Sequence, residues 1–270
     1  MRRALAALLA AASASCVAPS IRLPSGAGVP VDPAVASNAL EQATRCRDVR
    51  TLTAEIAVSG SAAGRRVRGK LTGGIERPAS ARLEAVAPAG PPVFIFVATG
   101  EVATLLLPRD DRILEHGRPE EVLDAVSGVP VDAAALTDVV TGCVRPAPTT
   151  DARAFGDTWL RYASGTDTTY LRRDRTSAPW HLVAAERQAW HAEFSAFQPT
   201  PGADLPSVIR LTSPPAAATP FDLKLSLSQV DINVPLGPQT FAIQTPTTAK
   251  PITLQELRQS GPLAQKTDAR

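Results

Sequence analysis

The strongest constraint in this chain is a series of short segments in which apolar and polar residues alternate with a period of two. The series begins at Leu52 and reads TLTAEIAVSG, RRVRGKLTGGIE, ARLEAVAP, VFIFVATG and EVATLLLP, with Gly, Pro or Ser separating the segments. Alternation of this kind gives a strand one apolar and one wettable face, and the breakers between segments favour tight reversals. An antiparallel meander is predicted. The pattern resumes later with DTWLRYASG, TTYLRRDR, WHLVAAERQ, WHAEFSAF and SVIRLTS, and it finishes with FDLKLSLSQVDINV. In that last segment Phe221, Leu223, Leu225 and Leu227 keep one phase, whereas the apolar positions after Gln229 are Val230 and Ile232. An extra residue in one strand of a pair produces such a phase change, so a β-bulge or sharp bend is expected there, and with it a strongly curved sheet.

Three stretches carry the helical period instead. Ala34 to Arg50 follows the start signal Asp32-Pro33 and spaces Leu40, Ala43 and Cys46 by three. Arg118 to Ser127 and Asp132 to Gly142 interrupt the strands midway, with Pro119 at a helix start, Asp132 as an N-cap, and Gly128 and Gly142 at helix ends. A short helix is predicted at Leu254 to Gln259. With about ten or eleven strands, one apolar face per strand and helices in the middle, the economical architecture is α+β: a half-open, strongly curved antiparallel barrel with helices as lid or plug.

The N-terminus reads as a leader. Met1-Arg2-Arg3 followed by the apolar run Ala4 to Ala12 has the charged and apolar regions of a secretory signal and is too short to span a bilayer. Ser13-Ala14-Ser15-Cys16 resembles the bacterial lipobox, with Ser13 in place of the usual leucine, in which the cysteine is acylated and becomes the new N-terminus. The alternative is an ordinary Ala-x-Ala type cleavage with Cys16 incidental. The expected organisation is a signal peptide at 1–15, a tether at 16–32 that is rich in Pro, Gly, Ser and Ala, the half-barrel at 33–245, and a C-terminal extension at 246–270 with a short helix. A flexible tether of that size spans roughly 20–25 Å.

Cysteine count bears on the same question. There are three, Cys16, Cys46 and Cys143, and an exported protein with an odd number has one to account for. If Cys16 carries lipid, Cys46 and Cys143 are free to form a disulfide in an oxidising compartment.

Charge excludes one class of partner. The chain has 28 Lys and Arg against 26 Asp and Glu, and Arg2 and Arg3 leave with the signal, so the mature protein is close to neutral. No general attraction to nucleic acid or anionic lipid follows. Arg65-Arg66 and Arg172-Arg173 read as solvated strand ends. His116, His181 and His191 show no metal-ligand spacing, and neither CxxC nor GxSxG occurs. Gly26-Ala27-Gly28 lacks the strand and helix of a phosphate loop. His191 and Glu193 lie on one strand face and could form an acid/base pair, although an exposed cross-strand pair is the simpler reading. No enzyme, metal site or cofactor is predicted.

The segment Arg82 to Gly90 (RLEAVAPAG) and the segment Glu121 to Val131 (EVLDAVSGVPV), the latter followed by Leu136 and Val139-Val140-Thr141-Gly142, resemble the outer-membrane lipoprotein receptor LolB and its relatives, including the periplasmic carrier LolA. The first looks like that family's strand and turn, and the second like its paired lid helices; residues 221–243 look like its last strands. The likeness is best over residues 38–145. It implies a half-open antiparallel barrel whose apolar cavity receives the acyl chains of lipoproteins or related lipids, with a periplasmic carrier protein as partner. It also implies a place in the bacterial cell envelope, lipid-anchored at the periplasmic face of the outer membrane. On that reading Leu71, Leu83, Phe94, Phe96, Val122, Leu136, Phe194 and Leu225 line the cavity, the same residues being a closed core if the barrel is filled. The turn Pro88-Ala89-Gly90 faces the membrane, with Ala89 where the receptor presents a leucine. That smaller residue and the C-terminal extension favour a second expectation, a structural or sensing partner in an envelope assembly with the same fold.

Overall fold

The computed structural model describes residues 21–87, 89–146 and 151–260. A short strand β1 (Val29–Pro30) and helix α1 (Pro33–Ala43) precede a 3-10 turn at Arg45–Asp48. A first meander follows: β2 (Thr51–Ala62), β3 (Arg65–Glu76), β4 (Ser80–Val86), β5 (Ile95–Thr99), β6 (Val102–Leu107) and β7 (Arg112–Gly117). Helices α2 (Pro119–Ser127) and α3 (Ala133–Thr141) separate it from a second, made of β8 (Asp151–Phe155), β9 (Trp159–Ser164), β10 (Asp167–Arg172), β11 (His181–Glu186), β12 (His191–Thr200), β13 (Ala203–Thr212) and β14 (Phe221–Ile232). β15 (Lys250–Pro251) and α4 (Leu254–Ser260) complete the described chain.

The two meanders join because β14 pairs with β2, from Phe221 opposite Ala62 to Ile232 opposite Leu52. One sheet of 15 strands results, in the order β1-β8-β9-β10-β11-β12-β13-β14-β2-β3-β4-β5-β6-β7-β15. It does not close on itself. The expected ten or eleven strands are thus too few, and the half-barrel is an open curved sheet. The omitted strands have weak signatures. In β7 the alternation breaks at His116, whose φ is 58°, β8 is half-buried throughout, and β1 and β15 are two residues long and each contains proline.

The bend is where the phase change predicted it. Ser228 pairs with Glu55 and Asp231 with Thr53, so Gln229 and Val230 oppose a single residue, and Gln229 has φ 51°. This bulge turns the sheet and moves the apolar phase. Farther along the same pair Gly60 has φ 141°, and a Cβ there would lie 2.0 Å from the Asp222 carbonyl oxygen, so only glycine permits that approach.

Helix ends follow the cap signals. Asp132 Oδ1 accepts from the Ala135 amide at 2.6 Å, and Gly128 and Gly142 take left-handed conformations after α2 and α3. α1 is capped by Asp32 but stops at Ala43, short of the expected Arg50. There the Thr44 hydroxyl bonds back to the Leu40 carbonyl at 2.8 Å, and the chain tightens into the 3-10 turn that carries Cys46.

Two expected boundaries are corrected. Residues 21–32 are not a free tether: β1 pairs with β8, the Ile21 amide donates to Glu193, and Ile21 and Leu23 pack on Tyr170, Val183 and Ala184. Cys16, the signal at 1–15 and Pro88 lie outside the described residues. At the other end the extension belongs to the domain, since β15 pairs with β7 and Leu257 of α4 is fully buried in the core.

The expected disulfide is present, joining Cys46 to Cys143 across 97 residues with the Cα atoms 5.7 Å apart. Closing a loop of that length restricts the unfolded chain by an amount worth about 4–5 kcal/mol. The double variant Cys46→Ala/Cys143→Ala should lose about 3–5 kcal/mol in denaturant unfolding. An unchanged midpoint would show that the cross-link contributes nothing to native stability.

Candidate functional site

The alternation of each strand delivers its apolar residues to one surface. Leu52, Ile56 and Val58 of β2, Leu83 of β4, Phe96 of β5, Phe194 of β12 and Ile209 of β13 belong to one contiguous core with Val122, Val126, Leu136, Val139 and Val140 of α2 and α3. The helices therefore occupy the concave side of the sheet. Of the eight predicted cavity residues, Leu71, Leu83, Phe94, Phe96, Val122, Leu136 and Phe194 are buried in this core, and Leu225 is half-buried against it. The sequence pattern thus identifies residues that meet. They meet in one buried cluster, and surface grooves of about 290–380 Å³ among the described residues are lined by other side chains.

The plug is restrained unevenly. At the end of α3, Arg77 donates from Nε to the Val49 carbonyl (3.1 Å), from Nη1 to Asp138 (2.9 Å) and from Nη2 to the Thr141 hydroxyl (3.1 Å), and the disulfide at Cys143 follows two residues later. Burial pushes the Asp138 carboxyl up, an effect that outweighs the pull of the Arg77 guanidinium beside it. α1 is tied to the sheet by the Tyr162 hydroxyl, which donates to the Ala36 carbonyl at 2.6 Å and whose pKa burial pushes up to about 12. α2 is held more lightly, by apolar packing and by α4, where Arg258 reaches Asp124 at 3.4 Å on the surface.

The predicted turn is exposed at Ala89 and Gly90, and Arg109 holds it by donating to the carbonyls of Ala89 and Pro91. Phe94 and Phe96 serve the core. Glu193, proposed as half of an acid/base pair with His191, instead accepts from the Ile21 amide at 3.2 Å. The histidine with a carboxylate partner is His181, whose Nε2 lies 3.0 Å from Asp204. Sequence reading missed this pair because the two residues are 23 apart and come together only when β11, β12 and β13 pair. Among the described residues no group of three or more His, Cys, Asp or Glu could hold a metal ion, and no helix is long and apolar enough to cross a membrane, which says nothing of strands.

An open, bent sheet, antiparallel except where β15 joins β7, with helices plugging its concave face, defines a class of half-barrel. The same architecture is found in a LolA superfamily protein from Nitrosomonas europaea, at a TM-score of 0.54, 12% identity, 77% coverage of this chain and 97% of that one. A DUF1329 family protein from Desulfovibrio piger matches at a TM-score of 0.53 and 11% identity, over 78% of this chain and 98% of that one. No family model matches the sequence, and no curated protein matches it. The chain has the LolA/LolB-like fold.

Restraint by Arg77 has two measurable consequences. Arg77→Ala removes donors from the Val49 carbonyl and from Asp138, and it should lower stability by about 2–3 kcal/mol in denaturant unfolding. Asp138 holds its proton to a higher pH in the folded than in the unfolded chain. Its contribution to stability is therefore full below its ordinary 3.8 and is lost as pH rises through the folded value. Asp138→Asn should remove that part of the pH dependence, and a variant whose stability profile matches the parent's above pH 3.8 would refute the assignment.

Proposed function

We propose that this protein is a lipid-anchored component of a bacterial cell envelope that takes acyl chains of lipoproteins or related lipids between its sheet and its plug helices. The observation that carries the reading is the asymmetry of the core: one wall is a continuous sheet, and the other is two helices of nine residues each. Helices this short have little stability of their own and persist because their apolar faces are covered. α2 contributes Val122, Leu123 and Val126 to the core, roughly 5–9 kcal/mol of burial at about 1.5–3 kcal/mol each. An acyl chain of about a dozen methylenes offers on the order of 10 kcal/mol. Exchange of α2 for a chain is therefore close to balanced, which is what reversible uptake and release need. The disulfide and Arg77 fix α3, so room is made at the end held by α2 and α4.

Anchoring through Cys16 would keep the domain beside its acceptor, at the periplasmic face of the outer membrane, with a periplasmic carrier handing over cargo. The fold shared with a LolA superfamily protein supports this reading. A second reading, the same fold with a filled core acting as a structural or sensing partner, is favoured by the burial of seven of the eight residues in one contiguous cluster.

One experiment separates them. The exported chain carrying Cys16→Ala, purified without detergent, is offered a triacylated lipopeptide and observed by native mass spectrometry. Saturable adducts are expected, with uptake reduced severalfold by Leu225→Gln at a site that is only half-buried. A clean apo mass would leave the filled-core reading. The same substitution at Cys16 should release the protein from membranes, and continued association would rule out the anchor.

A further inference from the structure

A groove of about 380 Å³ opens between the 3-10 turn after α1, the start of β11 and the β12–β13 hairpin, and no step of the proposed uptake uses it. Its walls carry two aromatic rings, Trp180 and Phe197. His181 is held in it twice: the imidazole stacks on Phe197 with ring centroids 4.4 Å apart, and its Nε2 lies 3.0 Å from Asp204 Oδ2. A carboxylate only accepts, so Nε2 is the donor and the other ring nitrogen has no partner among the described residues. Asp204 is the one carboxylate lining the groove, and it is committed to His181.

The cations are less committed. Arg45 lines the groove, is exposed, and makes no ion pair or side-chain hydrogen bond to any described residue. Arg173 lies over the Trp180 ring at 4.4 Å and donates only to backbone carbonyls, of Asp157 and Thr176. The lining thus sets Arg45 against Asp204, but Asp204 is spent on His181 while Arg45 is spent on nothing, beside apolar rings. An exposed, unspent guanidinium beside buried and half-buried aromatic walls suits an anion attached to an apolar body.

The groove is also rigid and adjacent to the core. Cys46 in its wall is cross-linked to Cys143, and Gly142 is among its lining residues. A Cβ at Gly142 would lie 2.7 Å from Pro206 Cγ and 3.7 Å from Phe194 Cδ1, so this glycine of the groove lining is packed against the core phenylalanine. A wall already fixed in this way has little left to order when a ligand binds.

We infer that this groove is a headgroup site for an anionic phospholipid, with Arg45 on the phosphodiester and Trp180 and Phe197 against its uncharged parts. The inference rests on the proposed uptake of acyl chains, and it assigns the head to the pinned end of the plug while the chain exchanges with the lighter end. One free guanidinium matches one negative charge.

The test uses the exported Cys16→Ala chain and short-chain lipids kept below their micelle concentration. Dihexanoyl phosphatidylglycerol should bind about five- to tenfold more tightly than dihexanoyl phosphatidylcholine by native mass spectrometry and tryptophan fluorescence. Arg45→Gln should abolish that preference without lowering the melting temperature, since the side chain has no partner to lose, whereas Arg65→Gln in another groove should leave it intact. Equal binding of the two lipids, or an unchanged preference in Arg45→Gln, would overturn the site while the uptake reading stands. Inorganic phosphate competing as effectively as phosphatidylglycerol would also overturn it, as a site for free anions. Failure of both lipids and of the triacylated lipopeptide would remove the uptake reading itself.

Discussion

The inner face of the sheet carries Leu52, Ile56, Leu83, Phe96, Phe194 and Ile209 on one surface, and withdrawing that surface from water is the requirement to which the other elements answer. A flat sheet would need a second sheet to cover it. Bending at the Gln229 bulge lets the two meanders approach each other, so that two short helices are enough to fill the space between them. The plug and the curvature are thus two parts of one solution. Without the bend, helices of nine residues could not reach both meanders.

An open sheet also leaves two edges, each a row of unpaired backbone groups that another chain could extend. Here both edges are covered by the chain's own ends: β1 lies on β8, and β15 on β7. The pairing is only two residues at each side, which suffices because side chains add to it. Arg112 donates to the Pro251 carbonyl and reaches Glu256, Arg161 donates to the Gly26 carbonyl, and Leu257 buries itself beside α2. Segments that look like tether and extension in isolation therefore work as edge protection. The same strap that blocks the β7 edge also holds α2, which couples access to the core with the integrity of that edge.

How legible this was follows from the range of each signal. The bulge, the helix caps at Asp132, Gly128 and Gly142, and the strand limits of β3 depend on neighbouring residues, and they could be read from Gln229's phase change, from cap chemistry and from the Gly and Ser breakers. The disulfide followed from counting. β1 and β15 could not be read, because a two-residue strand containing proline has no period and exists only where a partner edge is waiting. The eight core residues were recognisable as one set, but whether they surround a space depends on how closely α2 and α3 approach, which no local pattern encodes. The His181–Asp204 pair was hidden for a related reason: three strands must align before the two residues touch.

Restraint and exchange divide along the plug. At the Cys143 end the disulfide ties the chain after α3 to the turn after α1, and the Arg77 hydrogen bonds and the Tyr162 bond to α1 hold the helices to the sheet; the hydrogen bonds are lost by local unfolding, whereas the disulfide persists through it. At the α2 end the holding forces are apolar contact and one exposed ion pair, Arg258 with Asp124, of the kind worth less than about 1 kcal/mol. Apolar contact does not discriminate between a helix face and an acyl chain, since both are measured by area removed from water. On the proposed reading, such a core trades one cover for another at its light end while its fixed end keeps register. The sheet need not move, because its bend is set by the bulge and its edges are already closed. Selectivity must then come from the fixed end, where polar groups are placed, and not from the interior, where any chain of suitable length would serve.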